Sequence, residues 1–207
     1  MTGAGRNGSG HRHIILASGS VSRRMLLENA GLAFDVVPSA FDEDAAREAL
    51  DTGDVTPGDV AEVLARGKAE EVSARHRDAI VIGGDQILAL DDEIFTKPAD
   101  MDAARATLLK LRGKTHTLNC GVCIAVDGTV TWAHVDTAHM TMRDFSPEWL
   151  GNHLAVAGPD VCQSVGAYQL EGAGVQLFET IEGSYFTILG LPLLPLLGAL
   201  RDMGAVA

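Results

Sequence analysis

The segment Leu16-Ala17-Ser18-Gly19-Ser20-Val21-Ser22-Arg23-Arg24 has the residue types of a phosphate grip. It lies where an apolar strand gives way to a helical pattern, so unpaired backbone N–H groups gather at the positive end of a helix dipole. Ser18, Ser20 and Ser22 supply hydroxyl donors, Gly19 lets a ligand approach the backbone, and Arg23 can bind phosphate in a bidentate fashion. The same residues also suit a serine-capped helix with solvated arginines. Further along, Phe41-Asp42-Glu43-Asp44 clusters carboxylates. Oxygen ligands of this kind suit Mg²⁺ or Mn²⁺ bridging to phosphates, or else an acidic loop that caps the next helix.

Lys68 follows Val60 and Leu64 and precedes Val72, each four residues apart, so it sits on an apolar helix stripe. A lysine there either snorkels or meets an anion. Gly83-Gly84-Asp85-Gln86 directly follows the apolar run Ile80-Val81-Ile82. Ligands gather at the carboxyl ends of such strands, and a carboxylate there, with two glycines clearing space, suits a metal ligand or general base. An Asx turn is the structural alternative. Thr96-Lys97-Pro98 fixes a lysine beside a proline, either to neutralise phosphate charge or as a surface turn. In Ser164 to Gly172, Glu171 can accept two parallel hydrogen bonds from a guanine-type edge, and Gly183-Ser184-Tyr185 follows on. An ordinary loop and edge strand fits the same residues.

The elements that must position these groups alternate. Apolar runs predict strands over His13 to Ala17, Phe34 to Val37 and Ala79 to Ile82. Helical spacing covers Ser22 to Ala30, Thr56 to Arg75 opened by Pro57, Asp100 to Leu111, Ser146 to Leu154 with Ser146 as N-cap and Pro147 at N1, and Leu191 to Met203. Hairpins are predicted from Ile87 to Leu90 and Glu93 to Phe95 about Asp91-Asp92, and from Thr115 to Val126 and Thr129 to Met142 about Asp127-Gly128. Alternation interrupted by hairpins predicts an α/β, mixed α+β fold with a mixed sheet. One domain of two lobes is expected over residues 13–207, the long hairpin flooring the second, after a flexible tail over residues 1–12.

Several other residues are read as structural. Gly3, Gly5 and Gly8 match GxGxxG, but no strand precedes them. Cys120 and Cys123 form a CxxC on a strand, where positions three apart face opposite sides, and no second ligand pair accompanies them. His116, with Thr115 and Thr117, is expected on an exposed strand face. His11 and His13 lack a third ligand and are assigned no metal.

The net charge of −12 argues against nucleic acid as a partner while leaving room for a small anion in a locally basic cleft. Three cysteines argue against a disulfide scaffold. The longest apolar stretch, Gly190 to Leu200, is interrupted by Pro192 and Pro195 and is too short for a membrane span. A cytoplasmic protein is expected.

Taken in order, these segments resemble the Maf family of nucleoside triphosphate pyrophosphatases, also called septum formation inhibitor Maf-like proteins. The family's SxSxxR matches Ser18, Ser20 and Arg23, its DE Asp42-Glu43, its helix lysine Lys68, and its IGxD Ile82 to Asp85. Its KP matches Lys97-Pro98, its GAYxxxGxG Gly166-Ala167-Tyr168 with Gly172 and Gly174, and its GSY…GLPL Gly183 to Tyr185 with Gly190 to Leu193. The resemblance implies a two-lobed Maf/inosine-triphosphatase-like fold with a central cleft, often dimeric, so a homodimer is a further expectation. It also implies metal-dependent hydrolysis of a triphosphate to monophosphate and pyrophosphate. Asp85 is implied as proton acceptor; the mechanism expected on that basis has Glu43 and Asp85 holding the metal or its water, and Arg23, Lys68 and Lys97, helped by Ser20, neutralising the leaving pyrophosphate. Gln86 and Glu171 are similar to the branch acting on 7-methylguanosine triphosphate, whereas Ser22 stands where that branch has tryptophan. Two rivals remain: a nucleotidyltransferase-like enzyme, from the likeness of residues 16–23 to an LAxGxGxR loop, and a non-catalytic inhibitor of septum formation.

Overall fold

A computed structural model describes residues 12–50 and 55–207. The expected tail over residues 1–12, apart from Arg12, lies outside the described residues, as do Gly3, Gly5, Gly8 and His11.

The chain forms β1 (Ile14–Leu16), α1 (Val21–Asn29), β2 (Asp35–Val36), α2 (Glu43–Leu50), α3 (Pro57–Arg75), β3 (Ile80–Leu90), β4 (Glu93–Phe95), α4 (Met101–Leu111), β5 (Thr115–Val126), β6 (Thr129–Met142), α5 (Pro147–Ala157), β7 (Phe178–Glu182), α6 (Tyr185–Ile188) and α7 (Leu193–Asp202). Two 3-10 turns, Pro159–Gln163 and Ala173–Leu177, fall between α5 and β7. The strands make one mixed sheet in the order β2-β1-β3-β5-β6-β7, with β4 also paired to β3. The fold is the mixed α/β class expected from alternation broken by hairpins.

Most expected elements form within a residue or two of their predicted ends. Both hairpin turns place an aspartate at positive φ, Asp91 at 54° and Asp127 at 52°, with Gly128 following at 80°. Ser146 caps α5 as read, its Oγ accepting from Trp149 N, and α3 opens at Pro57 behind a Thr56–Asp59 capping box.

Three expectations need correction. The predicted strand at residues 79–82 and the hairpin arm at 87–90 are one continuous strand, β3. Gly83-Gly84-Asp85-Gln86 therefore lies in mid-strand rather than in a turn after it. The glycines misled the reading, because they serve packing. A Cβ on Gly83 would lie 2.3 Å from the Ala65 carbonyl oxygen, and one on Gly121 would lie 2.5 Å from that of Ala61. These two glycines let α3 settle directly on β3 and β5. Gly84 clears space for a protein side chain too, since its Cβ would meet Arg23 Nε at 3.2 Å. Second, a helix for which no element was predicted, α2, opens at Glu43, and the acidic motif caps it as its alternative reading had it, Asp42 Oδ1 accepting from Ala45 N at 3.0 Å. Third, His116 is buried, 1% exposed, against Tyr168 rather than on an open strand face.

Two main cores lie toward opposite ends of the long strands. One packs Leu26 and Leu27 of α1 and Leu196 and Leu200 of α7 on Ile14, Leu16, Ile80, Ile82 and Ile124. The other packs Leu108 and Leu111 of α4 and Leu150 of α5 on Leu88, Leu118 and Met140. Each such fully buried side chain contributes about 1.5–3 kcal/mol of transfer free energy. Among the described residues, no helix is long and apolar enough to cross a membrane.

The middle of β3 lies between these cores, and there one strand edge is open. β1 runs parallel to β3 and ends opposite Ile82; β4 runs antiparallel and ends opposite Leu88. Both chains thus run toward the same gap and leave the sheet at it. β5 covers the other edge continuously from Val81 to Ala89.

Candidate active site

The gap opens into a cleft of about 1190 Å³ lined by Ser18 to Arg23 after β1, Phe41 to Asp44 and Arg47, Lys68, Asp85 and Gln86, and Thr96 and Lys97 after β4. Its far wall includes Gln163 to Val165, Tyr168 to Glu171 and Ile188 to Gly190. Every site residue expected from the sequence is therefore on one cavity. Backbone groups on a strand alternate sides. Since Ile82 O accepts from Ala17 N on the β1 side, Gly84 and Gln86 turn their backbone N–H and C=O groups into the gap, where no strand among the described residues meets them.

Asp85 is the centre of the site. It shares a face of β3 with Gly83, so the contact that seats α3 at Gly83 also brings Lys68 within reach. Lys68 Nζ donates to Asp85 Oδ1 at 2.7 Å and pairs with Glu43 Oε1 at 2.9 Å. Lys68 is buried and meets anions, the second of the two fates its place on the stripe allowed. Asp85 is 5% exposed, and its Oδ2 is buried without a hydrogen-bond partner among the described residues. A buried carboxylate oxygen left unpaired costs roughly 1–3 kcal/mol or more, so it marks a place where a water, proton or cation belongs. Arg47 NH2 stands 3.6 Å from that oxygen and 3.9 Å from Glu43 Oε2, beyond hydrogen-bond reach.

The loop after β1 does both of the things considered for it. Ser20 caps α1, its Oγ accepting from Arg23 N at 3.4 Å, and Ser18 Oγ accepts from Ser20 N at 3.3 Å. Arg23 is buried, with NH1 donating to Ser18 Oγ at 3.0 Å and Nε to Gly190 O at 2.7 Å. A guanidinium has five N–H donors, so three remain for a ligand. Ser22 is half-buried on the cleft wall. Gln86 donates both amide N–H groups, to Thr187 O at 2.9 Å and Ile188 O at 3.1 Å. Only its Oε1 is left to face a ligand. Lys97 and Glu171 line the cleft as exposed side chains.

Arg47 was missed by the sequence reading. Its one signal was its place four residues after Glu43, an i,i+4 pair that requires the helix α2. The links to residues 187–190 were illegible because they depend on backbone carbonyls far along the chain.

His116, Tyr168, Cys120 and Cys123 are buried structural groups. Burial holds the His116 imidazole down at about 4 and pushes Tyr168 well up, with His116 Nε2 and Tyr168 Oη 2.8 Å apart. This pair anchors the Tyr168 stretch of the far wall. Burial also pushes the thiols of Cys120 and Cys123 up to about 12, as befits inert core cysteines on opposite faces of β5. Among the described residues, no three His, Cys, Asp or Glu side chains gather as a metal cage. Mg²⁺, however, is commonly held by one or two carboxylates with substrate phosphates completing the shell. Glu43 and Asp85, with the unpaired Oδ2, fit that donor set.

Residues 13–203 match the family described as Maf-like protein. The chain is 55% identical over 193 residues to a 7-methyl-GTP pyrophosphatase of Mesorhizobium japonicum, covering 93% of this chain and 97% of that one. It is 52% identical over 190 residues to a nucleoside triphosphate pyrophosphatase of Paramagnetospirillum magneticum, covering 92% and 98%. A second 7-methyl-GTP pyrophosphatase, from Rhizobium johnstonii, is 53% identical over 193 residues, again covering 93% and 97%. Such similarity along nearly the full length, on a chain whose family motifs converge at one open strand edge, makes this protein a member of the Maf-like family.

Proposed function

We propose that this chain hydrolyses a nucleoside triphosphate to the monophosphate and pyrophosphate, with 7-methylguanosine triphosphate as its preferred substrate. The observation that carries the reading is Asp85 Oδ2, buried with no hydrogen-bond partner among the described residues, at the floor of a cleft flanked by Lys68, Arg47, Arg23 and Lys97. A water hydrogen-bonded to that oxygen gives up its proton to Asp85 as its own oxygen bonds to the α-phosphorus. The bond from that phosphorus to the α–β bridging oxygen breaks, and the electron pair leaves with pyrophosphate. Lys68, fixed between Glu43 and Asp85, orients the general base. The spare N–H groups of Arg23, the Lys97 ammonium and the Ser20 hydroxyl meet the charge developing on the leaving group. A divalent cation, Mg²⁺ or Mn²⁺, belongs to the proposal, with Glu43 and Asp85 as the residues that would hold it. Bound there, it would neutralise phosphate charge as a Lewis acid.

The base preference rests on acceptors. Gln86 Oε1 and the Glu171 carboxylate present acceptors to the cleft, and a 7-methylated guanine is cationic with N1–H and N2–H donors. The names of the relatives at 53–55% identity support the same choice. Ser22 supplies no aromatic stack, so hydrogen bonding and charge carry the recognition. The test is pyrophosphate release from normal and 7-methylated nucleoside triphosphates, with Mg²⁺, with Mn²⁺ and with chelator. Turnover of the methylated guanosine substrate ahead of the others, only with metal, is expected. Inactivity towards every triphosphate would overturn the enzymatic reading, and equal rates across bases would overturn the preference.

A further inference from the structure

The segment from Thr187 to Gly190 holds two cleft residues at once. Thr187 O and Ile188 O, carbonyls at the end of the short helix α6, accept both N–H groups of Gln86. Two residues on, Gly190 O accepts from Arg23 Nε. Gly190 has φ 97°, a conformation side-chain-bearing residues rarely adopt. Four residues of backbone thus set the amide orientation of the base-facing Gln86 and the guanidinium position of the phosphate-facing Arg23.

The strap is pinned from behind. The Thr187 side chain is fully buried, and its hydroxyl donates to Asp136 Oδ2 of β6 at 2.5 Å. The other carboxylate oxygen, Oδ1, accepts from Thr137 N at 3.0 Å, which fixes the carboxylate on its strand. A neutral hydroxyl donating to a carboxylate forms a short, strong hydrogen bond. Neither Thr187 nor Asp136 lines the cleft.

We infer that Thr187 and Asp136 are positioning residues that set substrate selectivity through the 187–190 strap. The inference rests on the proposed activity. Releasing the pin lets α6 shift, which frees the Gln86 amide to rotate. A freed amide can present donors as well as its acceptor, so discrimination for a donor-bearing base falls. The same shift loosens Arg23, so affinity for the phosphates falls with it. The general base Asp85, held from the opposite face by Lys68, keeps its place.

The test compares Thr187→Val, Thr187→Ser, Asp136→Ala and the double variant Thr187→Val/Asp136→Ala with the wild type. KM, kcat and the kcat/KM ratio of 7-methylguanosine triphosphate over uridine triphosphate are measured at saturating Mg²⁺. Calorimetric affinity for 7-methylguanosine monophosphate and for uridine monophosphate is measured alongside, with thermal melts to establish folding. Thr187→Val is expected to raise KM about tenfold and cut the base ratio about tenfold, with a smaller fall in kcat, common to both substrates, from the loosened Arg23. Thr187→Ser retains the hydroxyl and restores the ratio. Asp136→Ala reproduces the loss, and the double variant is no worse than either single one, because both break one bond. An unchanged ratio and unchanged monophosphate affinities in folded Thr187→Val and Asp136→Ala overturn the inference. A wild type that turns over no triphosphate overturns the activity instead, and the monophosphate affinities then decide the strap on their own.

Discussion

Replacing Asp85 by asparagine separates catalysis from stability at the centre of the site. Asparagine keeps the shape and one acceptor oxygen, so the hydrogen bond from Lys68 Nζ, 2.7 Å in the native protein, survives with a neutral acceptor. Two charges at that distance attract by roughly 6 kcal/mol at an effective dielectric of about 20. Most of that is offset by the desolvation that burying Asp85 and Lys68 already costs. Lys68 also keeps its second carboxylate, Glu43 Oε1 at 2.9 Å. The amide NH₂ takes the place of the unpaired Oδ2, where it faces Arg47 as donor against donor. The net loss of stability is expected at about 1–3 kcal/mol, a fall in Tm of about 5 °C for a chain of this size. Turnover should fall by about 10²–10⁴, the range for removing a general base. Pyrophosphate release at saturating substrate and a thermal melt followed by circular dichroism measure the two effects. Turnover within threefold of wild type would refute the role of Asp85. A Tm lowered by more than about 15 °C would refute the claim that the carboxylate is there for chemistry rather than for the fold.

Three further perturbations follow from the same geometry. Arg47→Gln should lower kcat/KM about tenfold with little change in Tm, because contacts of 3.6 and 3.9 Å contribute little to stability while the cation faces the cleft; an unchanged kcat/KM counts against it. Gly83→Ala should cost at least about 3 kcal/mol in urea unfolding, since a Cβ 2.3 Å from the Ala65 carbonyl oxygen forces α3 off the sheet. A stability equal to wild type would mean that the helix yields freely there. His116 is held neutral at about 4, below its ordinary 6.5, so the unfolded chain binds more protons between those values. Stability due to this group is therefore present above pH 6.5 and lost as pH falls toward 4, about 2 kcal/mol of it between pH 7 and pH 5. In His116→Gln that part of the acid dependence should vanish, and an identical acid limb in both proteins would contradict the assignment.

The sequence made the elements and the list of site residues legible, but not how the residues are held. Periodicity sufficed for α3 and for the β5–β6 hairpin because each has a long, uninterrupted pattern and a strong stop, such as Asp127-Gly128. It failed at Gly83-Gly84. Two glycines in an apolar run carry the local signature of a turn, and only the arrival of α3 and Arg23, tens of residues away in sequence, explains them as packing sites. His116 failed for a related reason: its burial is set by Tyr168, on a loop 52 residues later. Lys68 was flagged by its place on an apolar stripe, yet its fate depended on α2, which the acidic motif concealed as a loop. Local signals, in short, identify residues whose type is unusual for their place. They cannot identify neutral partners such as Thr187 O, whose role comes from position alone.

The open edge of β3 explains why so many separate motifs are needed for one site. A strand paired on both sides could not offer Gly84 and Gln86 backbone N–H groups to a phosphate. An edge left fully open would invite another strand. Here β1 covers one end and β4 the other, so only a short stretch about Asp85 is bare, and the two covering chains depart at its borders. Their departing residues, Ser18 to Arg23 and Thr96-Lys97, are thereby delivered to the gap by topology. Glu43, Arg47 and Lys68 then come from helices on one face, and Arg23 with the strap at 187–190 from the other. Lengthening β4 by four residues past Phe95, so that it pairs with Gln86 and Gly84, should abolish turnover while raising Tm, because the added ladder bonds would consume the groups the substrate needs. An extended variant that stays fully active would show that the open edge is incidental, and that the side chains alone make the site.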